Sequence, residues 1–258
     1  MTFSDEDIEA LLSGVYAGKI NEYKLPRDLY KAITDYLRRA LVKGAGDPDA
    51  FSTRDSELFA KLEQSVYMFG AAKTYQETRA LSSLLVDEDG KLRSSSEFNR
   101  LGRDLFDLWN GDWGKSEYNT ALAQATMAVK WDKIESEKNL FPNLRYSAVG
   151  GEETCEICGA LDGLVAPVDD PIWDTVYPTN HFNCMCTVLQ EYDAQPTPDY
   201  RSVAGGVADK MQDTFKHNAA KTGSVFSKDH PYFDVPAKDR EYARRNFDLP
   251  IPSDDNEQ

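Results

Sequence analysis

The chain has 258 residues and a formal net charge of −15, with 41% hydrophobic and 28% charged residues mixed along its length. This composition excludes a disordered polyelectrolyte, and the length allows one elaborate domain or two modest ones. No apolar run is long enough to cross a bilayer, and the acidic start lacks the features of a secretory signal, so the sequence predicts a protein made and kept in a cytosol.

Apolar residues at helical spacing predict a helical first half. The predicted helices cover residues 4–16, 26–44, 55–85, 95–109 and 116–138. Ser4 is the expected N-cap of the first helix because the residues that follow it are acidic. Alanines at 121, 123, 125 and 128 predict close contact of the last of these helices with a neighbour.

The pattern changes at Leu144, where alternating large and small side chains predict short β segments in LRYSAVG, LDGLVAPV and CTVLQEY. Helical spacing returns over residues 203–220, and a last short helix is expected around residues 237–247. The sequence therefore predicts an α+β protein with a helical domain (1–140), a β-containing module (141–200) stabilised by zinc, a C-terminal helical extension (201–250) and a disordered tail (251–258).

All four cysteines lie between positions 155 and 186, which in a reducing cytosol favours metal binding over disulfides. Cys155 and Cys158 form a C-x-x-C, and His181, Cys184 and Cys186 form H-x-x-C-x-C. Zinc binds thiolate and imidazole ligands in a tetrahedron, and two distant ligand pairs can close such a site. Five candidate ligands exceed the four that zinc takes, so we expect one of the last two cysteines to bind and the other to pack.

Other chemistries fit these residues less well. The thiols could be ordinary buried cysteines or a site without metal, and a redox pair at Cys155 and Cys158 would need a βαβ pattern that is missing. A thiol nucleophile would need a positive environment, whereas this one is acidic. A catalytic zinc would need an open position and a carboxylate base, for which Glu153, Glu156 and Asp162 are candidates.

The polar residues around the cysteines suggest loops rather than further chemistry. Asp162 and Gly163 are expected to form a hairpin turn, and Asp169 and Asp170 to lie in a solvated loop. Between Tyr146 and Tyr200 there is no Lys or Arg, so this stretch has no side chain to neutralise a nucleic-acid phosphate. His217 and His230 stand alone and are assigned no chemistry.

The stretch from Thr154 to Gln190 resembles the signature of Mu F-like minor head proteins of tailed phages, in which a Cys or His pair precedes an LDG turn and a P-x-x-H-x-N-C-R-C-like segment. The matching positions are Cys155, Cys158, Leu161, Asp162, Gly163, Pro178, His181, Asn183, Cys184 and Cys186. Similar segments lie at 69–77, 117–134, 144–150 and 221–233. Met185 departs from the pattern because the family usually has Arg there, so any charged contact of that Arg is absent.

The resemblance implies a non-enzymatic, low-copy structural protein of the virion that acts inside the phage head. Its implied partners are the portal protein and also capsid or scaffold protein, with a role in head assembly or genome delivery. The implied location is the virion, after assembly in the host cytoplasm. A zinc-dependent hydrolase is the alternative function, which metal-dependent turnover of purified protein would reveal. We expect no nucleic-acid contact through the zinc module and no membrane contact.

Overall fold

The computed structural model describes residues 1, 3–46, 53–149 and 154–241. Its α-helices are α1 (Asp5–Tyr16), α2 (Arg27–Ala45), α3 (Thr53–Ser83), α4 (Ser95–Asp107), α5 (Gly114–Glu137), α6 (Glu156–Leu161), α7 (Tyr200–Ala208) and α8 (Ala219–Thr222). Its strands are β1 (Asn143–Ser147), β2 (Val165–Pro167) and β3 (Thr187–Glu191). A mostly helical chain with one small sheet confirms the α+β class. Residues 237–241 are helical as expected, and the predicted tail 251–258 lies outside the described residues.

The chain forms two compact units, each assembled from separate stretches of sequence. Of the described residues, those within 1–38, 66–116 and 230–241 form unit 1, and those within 39–65 and 117–229 form unit 2. The predicted domains 1–140, 141–200 and 201–250 concern independent folding, which compactness does not test. That division of the chain therefore stays a prediction. None of the described helices is both long enough and apolar enough to cross a membrane.

Helix α1, in unit 1, begins with the cap that its sequence indicates. The Ser4 hydroxyl accepts a hydrogen bond from the Asp7 backbone N–H (3.1 Å), and the Asp7 carboxylate accepts one from the Ser4 backbone N–H (3.0 Å). Each side chain therefore satisfies a backbone donor that the first helical turn leaves unpaired. The apolar face of α1 is buried through Ile8, Leu11, Leu12 and Val15.

A π-helical segment, Leu108–Trp113, follows α4 in unit 1 and was not predicted from the sequence. Two buried side chains of α3 bond to it: Lys73 Nζ donates to the Trp109 carbonyl oxygen (2.7 Å), and Glu77 Oε1 accepts from the Asn110 side-chain amide (2.6 Å). A π turn disturbs the regular ladder of helical hydrogen bonds, so its polar groups need other partners. Lys73 and Glu77, both fully buried, supply them.

The chain returns to unit 1 at residue 230 and packs against the same region. The Tyr232 ring stacks on Trp109 with centroids 5.3 Å apart, and the Gln76 side-chain amide donates to the Asp234 carbonyl oxygen (2.9 Å). The Tyr75 hydroxyl donates to the Asp239 carboxylate (2.8 Å). Residues 230–241 therefore complete unit 1, although they are far from the rest of it in sequence.

His230 should make the stability of the chain depend on pH. Burial, together with the positive charge of Lys73, lowers the pKa of His230 to about 4. An unfolded histidine titrates near pH 6.5, so acid favours the unfolded chain. We expect the His230 contribution, about 3 kcal/mol, to be present above pH 6.5 and to be lost as the pH falls toward 4.

Urea unfolding between pH 7 and pH 4 measures this effect. His230→Gln keeps an acceptor for the Tyr232 backbone N–H, which donates to His230 Nδ1 at 3.2 Å, but does not titrate. The variant should lose less free energy of unfolding over this range than the parent. The same loss in both proteins would show that His230 is not responsible.

Unit 2 contains the sheet, whose strand order is β2-β1-β3 with both neighbours antiparallel to β1. In the register, Tyr146 lies opposite Val188 and Leu144 lies opposite both Ala166 and Gln190. Leu144 and Tyr146 are fully buried, as expected for alternate residues that face the core. The core of unit 2 combines side chains of α5 and the sheet with those of α6, α7 and the intervening loops. Its largest members include Trp131, Tyr146, Trp173, Tyr177 and Phe215.

Within unit 2, helix α5 lies in close contact with α2 at Gly44, as the alanines of α5 predicted. A Cβ placed on Gly44 would lie 2.2 Å from the Leu122 carbonyl oxygen and 3.0 Å from the Cβ of Ala125. The Thr126 hydroxyl also donates to the Gly44 carbonyl oxygen at 3.0 Å. We expect Gly44→Ala to force the helices apart and to cost about 2 kcal/mol in urea unfolding, despite the better helix propensity of Ala.

The matched control for this variant is Gly205→Ala in α7, where no atom lies within 4 Å of the added Cβ. That substitution should leave stability unchanged or raise it slightly, by roughly 0.5 to 1 kcal/mol. Equal stability of Gly44→Ala and the parent would contradict the close contact.

Two regions differ from the prediction. Residues 156–161 form α6 rather than a turn, and the LDG segment joins this helix to β2 instead of closing a hairpin. The predicted helix 203–220 is split into α7, a 3₁₀ turn (Asp213–Phe215) and α8. Met211 and Phe215 still reach the core, so their helical spacing reflected burial rather than a continuous helix.

Candidate metal centre

The C-x-x-C segment is arranged by the first turn of α6. Cys155 is the N-cap, and its Sγ accepts a hydrogen bond from the Cys158 backbone N–H at 3.3 Å. This bond brings the two side chains to the same end of the helix. Cys158 is 1% exposed, whereas Cys155 is only partly buried.

The H-x-x-C-x-C segment is an irregular loop that ends where β3 begins. The Cys184 backbone N–H donates to the His181 carbonyl oxygen (3.2 Å), which closes a turn, and Asn183 within it has a φ of 60°. Asn tolerates this left-handed conformation better than most residues. The predicted strand started at Cys186, but β3 starts at Thr187, so neither cysteine of the pair lies in the strand.

The structure brings all five candidate ligands together in two overlapping groups. One consists of Cys155, Cys158 and His181, the other of Cys158, Cys184 and Cys186, and within each group the ligand atoms lie within 4.8 Å of one another. Cys158 Sγ is 3.3 Å from His181 Nε2 and 3.8 Å from Cys184 Sγ.

These distances fit a tetrahedral zinc site. A zinc–sulfur distance of about 2.3 Å gives about 3.8 Å between two sulfurs of a tetrahedron, and slightly less between sulfur and nitrogen. Sulfur and imidazole ligands are also those that structural zinc sites use. The cluster can therefore hold a metal ion, while the choice of four ligands among the five stays a prediction.

Neighbouring groups orient two of the ligands. His181 Nδ1 lies 2.8 Å from the Phe182 carbonyl oxygen, which can only accept, so Nδ1 carries a proton and Nε2 is directed at Cys158. The Tyr146 hydroxyl donates to Cys158 Sγ (3.5 Å) and accepts from the Asn180 side-chain amide (3.1 Å). Sequence reasoning missed Tyr146 and Asn180; the alternation in LRYSAVG indicated only that Tyr146 faces inward.

The crowded ligands perturb one another's protonation. Hydrogen bonding to Cys184 and Cys186, followed by burial, raises the pKa of Cys158, whereas hydrogen bonds from Cys158 and other neighbours lower the pKa of Cys184. A hydrogen bond to Cys184 raises the pKa of His181 to about 9. Without a cation the cluster thus favours one thiolate beside an imidazolium, because several adjacent thiolates would repel one another.

The carboxylates nominated as bases are engaged elsewhere. Glu156 is exposed and forms an ion pair with Lys210, and Asp162 Oδ1 accepts from the Ala148 backbone N–H at 2.9 Å. Glu153 lies outside the described residues. The two described candidates for the base of a hydrolytic zinc site, Glu156 and Asp162, therefore bond to other groups in this structure.

The sequence suggested that Asp170 lies in a solvated loop, but Asp170 is buried. It is 5% exposed, caps the 3₁₀ turn Pro171–Asp174, and its Oδ2 accepts from the Tyr200 hydroxyl (2.6 Å) and from Arg201 Nη2 (2.8 Å). Neighbouring Asp169 is exposed and pairs with Lys138, as expected for a loop. Burial of Asp170 is possible because its charge is fully paired.

Comparison with known proteins identifies the segment that carries this site. Residues 112–189 match the family described as "Phage Mu protein F like protein". The Mu-like prophage FluMu F protein of Haemophilus influenzae is 37% identical over 78 residues, which are 30% of this chain and 18% of that protein. The matched part thus spans less than a fifth of that relative's length, and no solved structure gives a significant match.

The matched residues run from the end of the π-helical segment through α5, β1, α6 and β2 into β3. They include all five candidate ligands, so the resemblance and the cluster coincide. Residues 112–189 are therefore similar to the phage Mu F-like family over the segment that carries the cluster.

Proposed function

We propose that the chain is a minor head protein of a tailed phage, which acts in head morphogenesis at the portal vertex inside the capsid. The observation that carries this proposal is the match of residues 112–189 to the Mu F-like family, including a curated prophage F protein. The matched segment is a structural entity, because its helix, strands and ligand cluster share the core of unit 2. Head assembly and genome delivery are the two roles that such a location allows.

The proposed cofactor is one structural Zn²⁺ per chain. The buried Cys184 Sγ at 3.8 Å and the oriented His181 imidazole at 3.3 Å from Cys158 Sγ support it. When bound, zinc would link the start of α6 to the loop before β3, and such links supply on the order of 10 kcal/mol of folding free energy. Elemental analysis of protein purified without chelator should give about one zinc per chain.

The proposed partners are proteins rather than nucleic acid. Three cations near the acidic 146–200 stretch are paired with its carboxylates: Arg145 with Glu191, Lys210 with Glu156, and Arg201 with Asp170. Pairing of these three cations supports the expectation that the zinc module does not bind phosphates. Residues 1–110 are closer to charge balance than the rest and are the proposed surface for the portal or for capsid or scaffold protein.

Deletion of the gene from the phage or prophage that encodes this chain tests the function. Electron microscopy of the lysate should show far fewer DNA-filled heads, with tails still present. The wild-type gene supplied in trans should restore filled heads, as should Met185→Ala, because Met185 is 75% exposed. Normal numbers of infectious, filled heads without the gene would refute the proposal.

A further inference from the structure

Unit 1 contains an apolar cleft, the α1–α2 cleft, between α1 and the first turns of α2. Its cavity volume is about 310 Å³, and its apolar lining includes Phe3, Leu11, Ile20, Leu29 and Phe106. A cavity of about 150 Å³ is enough to take up a benzene molecule. The α1–α2 cleft therefore has room for one or two large apolar side chains.

The α1–α2 cleft is suited to an apolar group because only part of its lining is covered by the chain itself. Leu29 and Phe106 are each 3% exposed, whereas Phe3 and Ile20 are only partly buried. The Phe3 ring packs edge-on against Phe106 with centroids 4.9 Å apart, so this wall is ordered. An apolar side chain that enters the cleft displaces water from these surfaces, which favours binding.

The α1–α2 cleft also carries negative charge. The exposed carboxylates of Asp7 and Asp28 belong to its lining, and none of the described residues that line it is basic. Arg103 pairs with two other acids of α1, and Lys31 pairs with another acid of α2. The cleft thus combines apolar walls with carboxylates that a cation from a partner can approach.

We propose that the α1–α2 cleft docks a basic amphipathic segment of another head protein. The segment inserts one or two large apolar side chains and places a Lys or Arg near Asp7 and Asp28. This inference rests on the proposed function, and it gives the proposed docking surface within residues 1–110 a defined position. A second copy of this chain is a poorer occupant, because the net charge of −15 makes two copies repel each other.

Incorporation of variants into phage heads tests the apolar part of the docking site. Variant genes are supplied in trans to the deletion phage, and copies per DNA-filled head are counted by mass spectrometry. Ala10→Phe fills the cleft from α1 and should lower incorporation at least about ten-fold, because it excludes an apolar side chain of the partner. Ala17→Phe is the control: Ala17 is exposed and outside the cleft lining, so incorporation should stay within about two-fold of the parent.

Reversal of one charge tests the basic character of the partner. Asp28→Lys replaces an attraction by a repulsion and should lower incorporation roughly five-fold. Asp35→Lys is the matched control on the same helix, because Asp35 is exposed and does not line the cleft. That variant should be incorporated within about two-fold of the parent.

Urea unfolding of the purified chains separates loss of docking from loss of folding. Ala10→Phe and Asp28→Lys should unfold at the urea concentration of the parent, since both positions are exposed. Ala32→Phe fills the cleft from α2 and should lower incorporation in the same way as Ala10→Phe. The cleft-filling result therefore does not depend on a single variant.

The outcomes distinguish this inference from the proposed function. A parent chain that is absent from heads refutes the proposed function, and this inference with it. A parent present in heads, with Ala10→Phe and Ala32→Phe incorporated equally well, overturns docking in the cleft and leaves the proposed function standing. Normal incorporation of Asp28→Lys would overturn the basic partner. A parent that forms dimers in sedimentation, with a monomeric Ala10→Phe, would assign the cleft to a second copy and overturn the proposal.

Discussion

Cys158→Ser is expected to abolish the proposed zinc binding and to leave unit 2 without a stable core. Cys158 is 1% exposed, lies in both ligand groups and accepts the Tyr146 hydroxyl. Loss of a structural zinc removes on the order of 10 kcal/mol, which is comparable to the whole stability of a typical domain. The near-ultraviolet circular dichroism of the buried Trp173, Tyr146 and Tyr177 should collapse, together with the zinc content.

Met185→Ala is the matched control for this variant. Met185 lies between two candidate ligands in sequence but is 75% exposed, so its removal should change neither zinc content nor the aromatic signal. Treatment of the parent with a strong chelator should reproduce the Cys158→Ser spectrum. A parent chain that keeps its aromatic signal after complete removal of zinc would show that the metal does not support the core.

The second large effect is expected at Lys73 in unit 1. Its ammonium is fully buried, donates to the Trp109 carbonyl oxygen at 2.7 Å and lies 5.9 Å from the centre of the Tyr232 ring. Lys73→Met would leave this carbonyl oxygen without that donor. A buried acceptor that loses its donor costs about 1 to 3 kcal/mol.

Urea unfolding followed by circular dichroism measures this loss. Lys31→Met in α2 is the control. The Lys31 side chain is exposed, and its ammonium bonds to Asp35 one helical turn away. That variant should unfold at the same urea concentration as the parent. Lys73→Met with unchanged stability would mean that the π-helical segment does not depend on the Lys73 hydrogen bond.

The helices of the first half followed from sequence because their signals are local. Ser4 and the acidic turn after it indicate the start of α1, and a four-residue apolar period indicates its buried face. The π-helical segment 108–113 could not be predicted in this way. It depends on Lys73 and Glu77, which contact it from another helix. The split of the predicted helix 203–220 has a similar origin, since burial of Met211 and Phe215 imitates a helical period.

The candidate site shows the same division. Spacing alone brought the five donors into one hypothesis, because thiols at these intervals have few other uses in a reducing environment. Spacing could not reveal that Tyr146 and Asn180 bond around Cys158, since these contacts arise from tertiary packing. Asp170 was misjudged for the same reason: its partners Tyr200 and Arg201 lie about 30 residues away.

The proposed location of the chain in the phage head is tested most directly by quantitative mass spectrometry of purified, DNA-filled heads. We expect peptides of this chain at a small, constant ratio to the major capsid protein. We also expect protein cross-linking within the heads to join residues 1–110 of the chain to the portal protein. Heads that contain no copy of the chain, while it remains in the soluble fraction of the same lysate, would refute the proposed location.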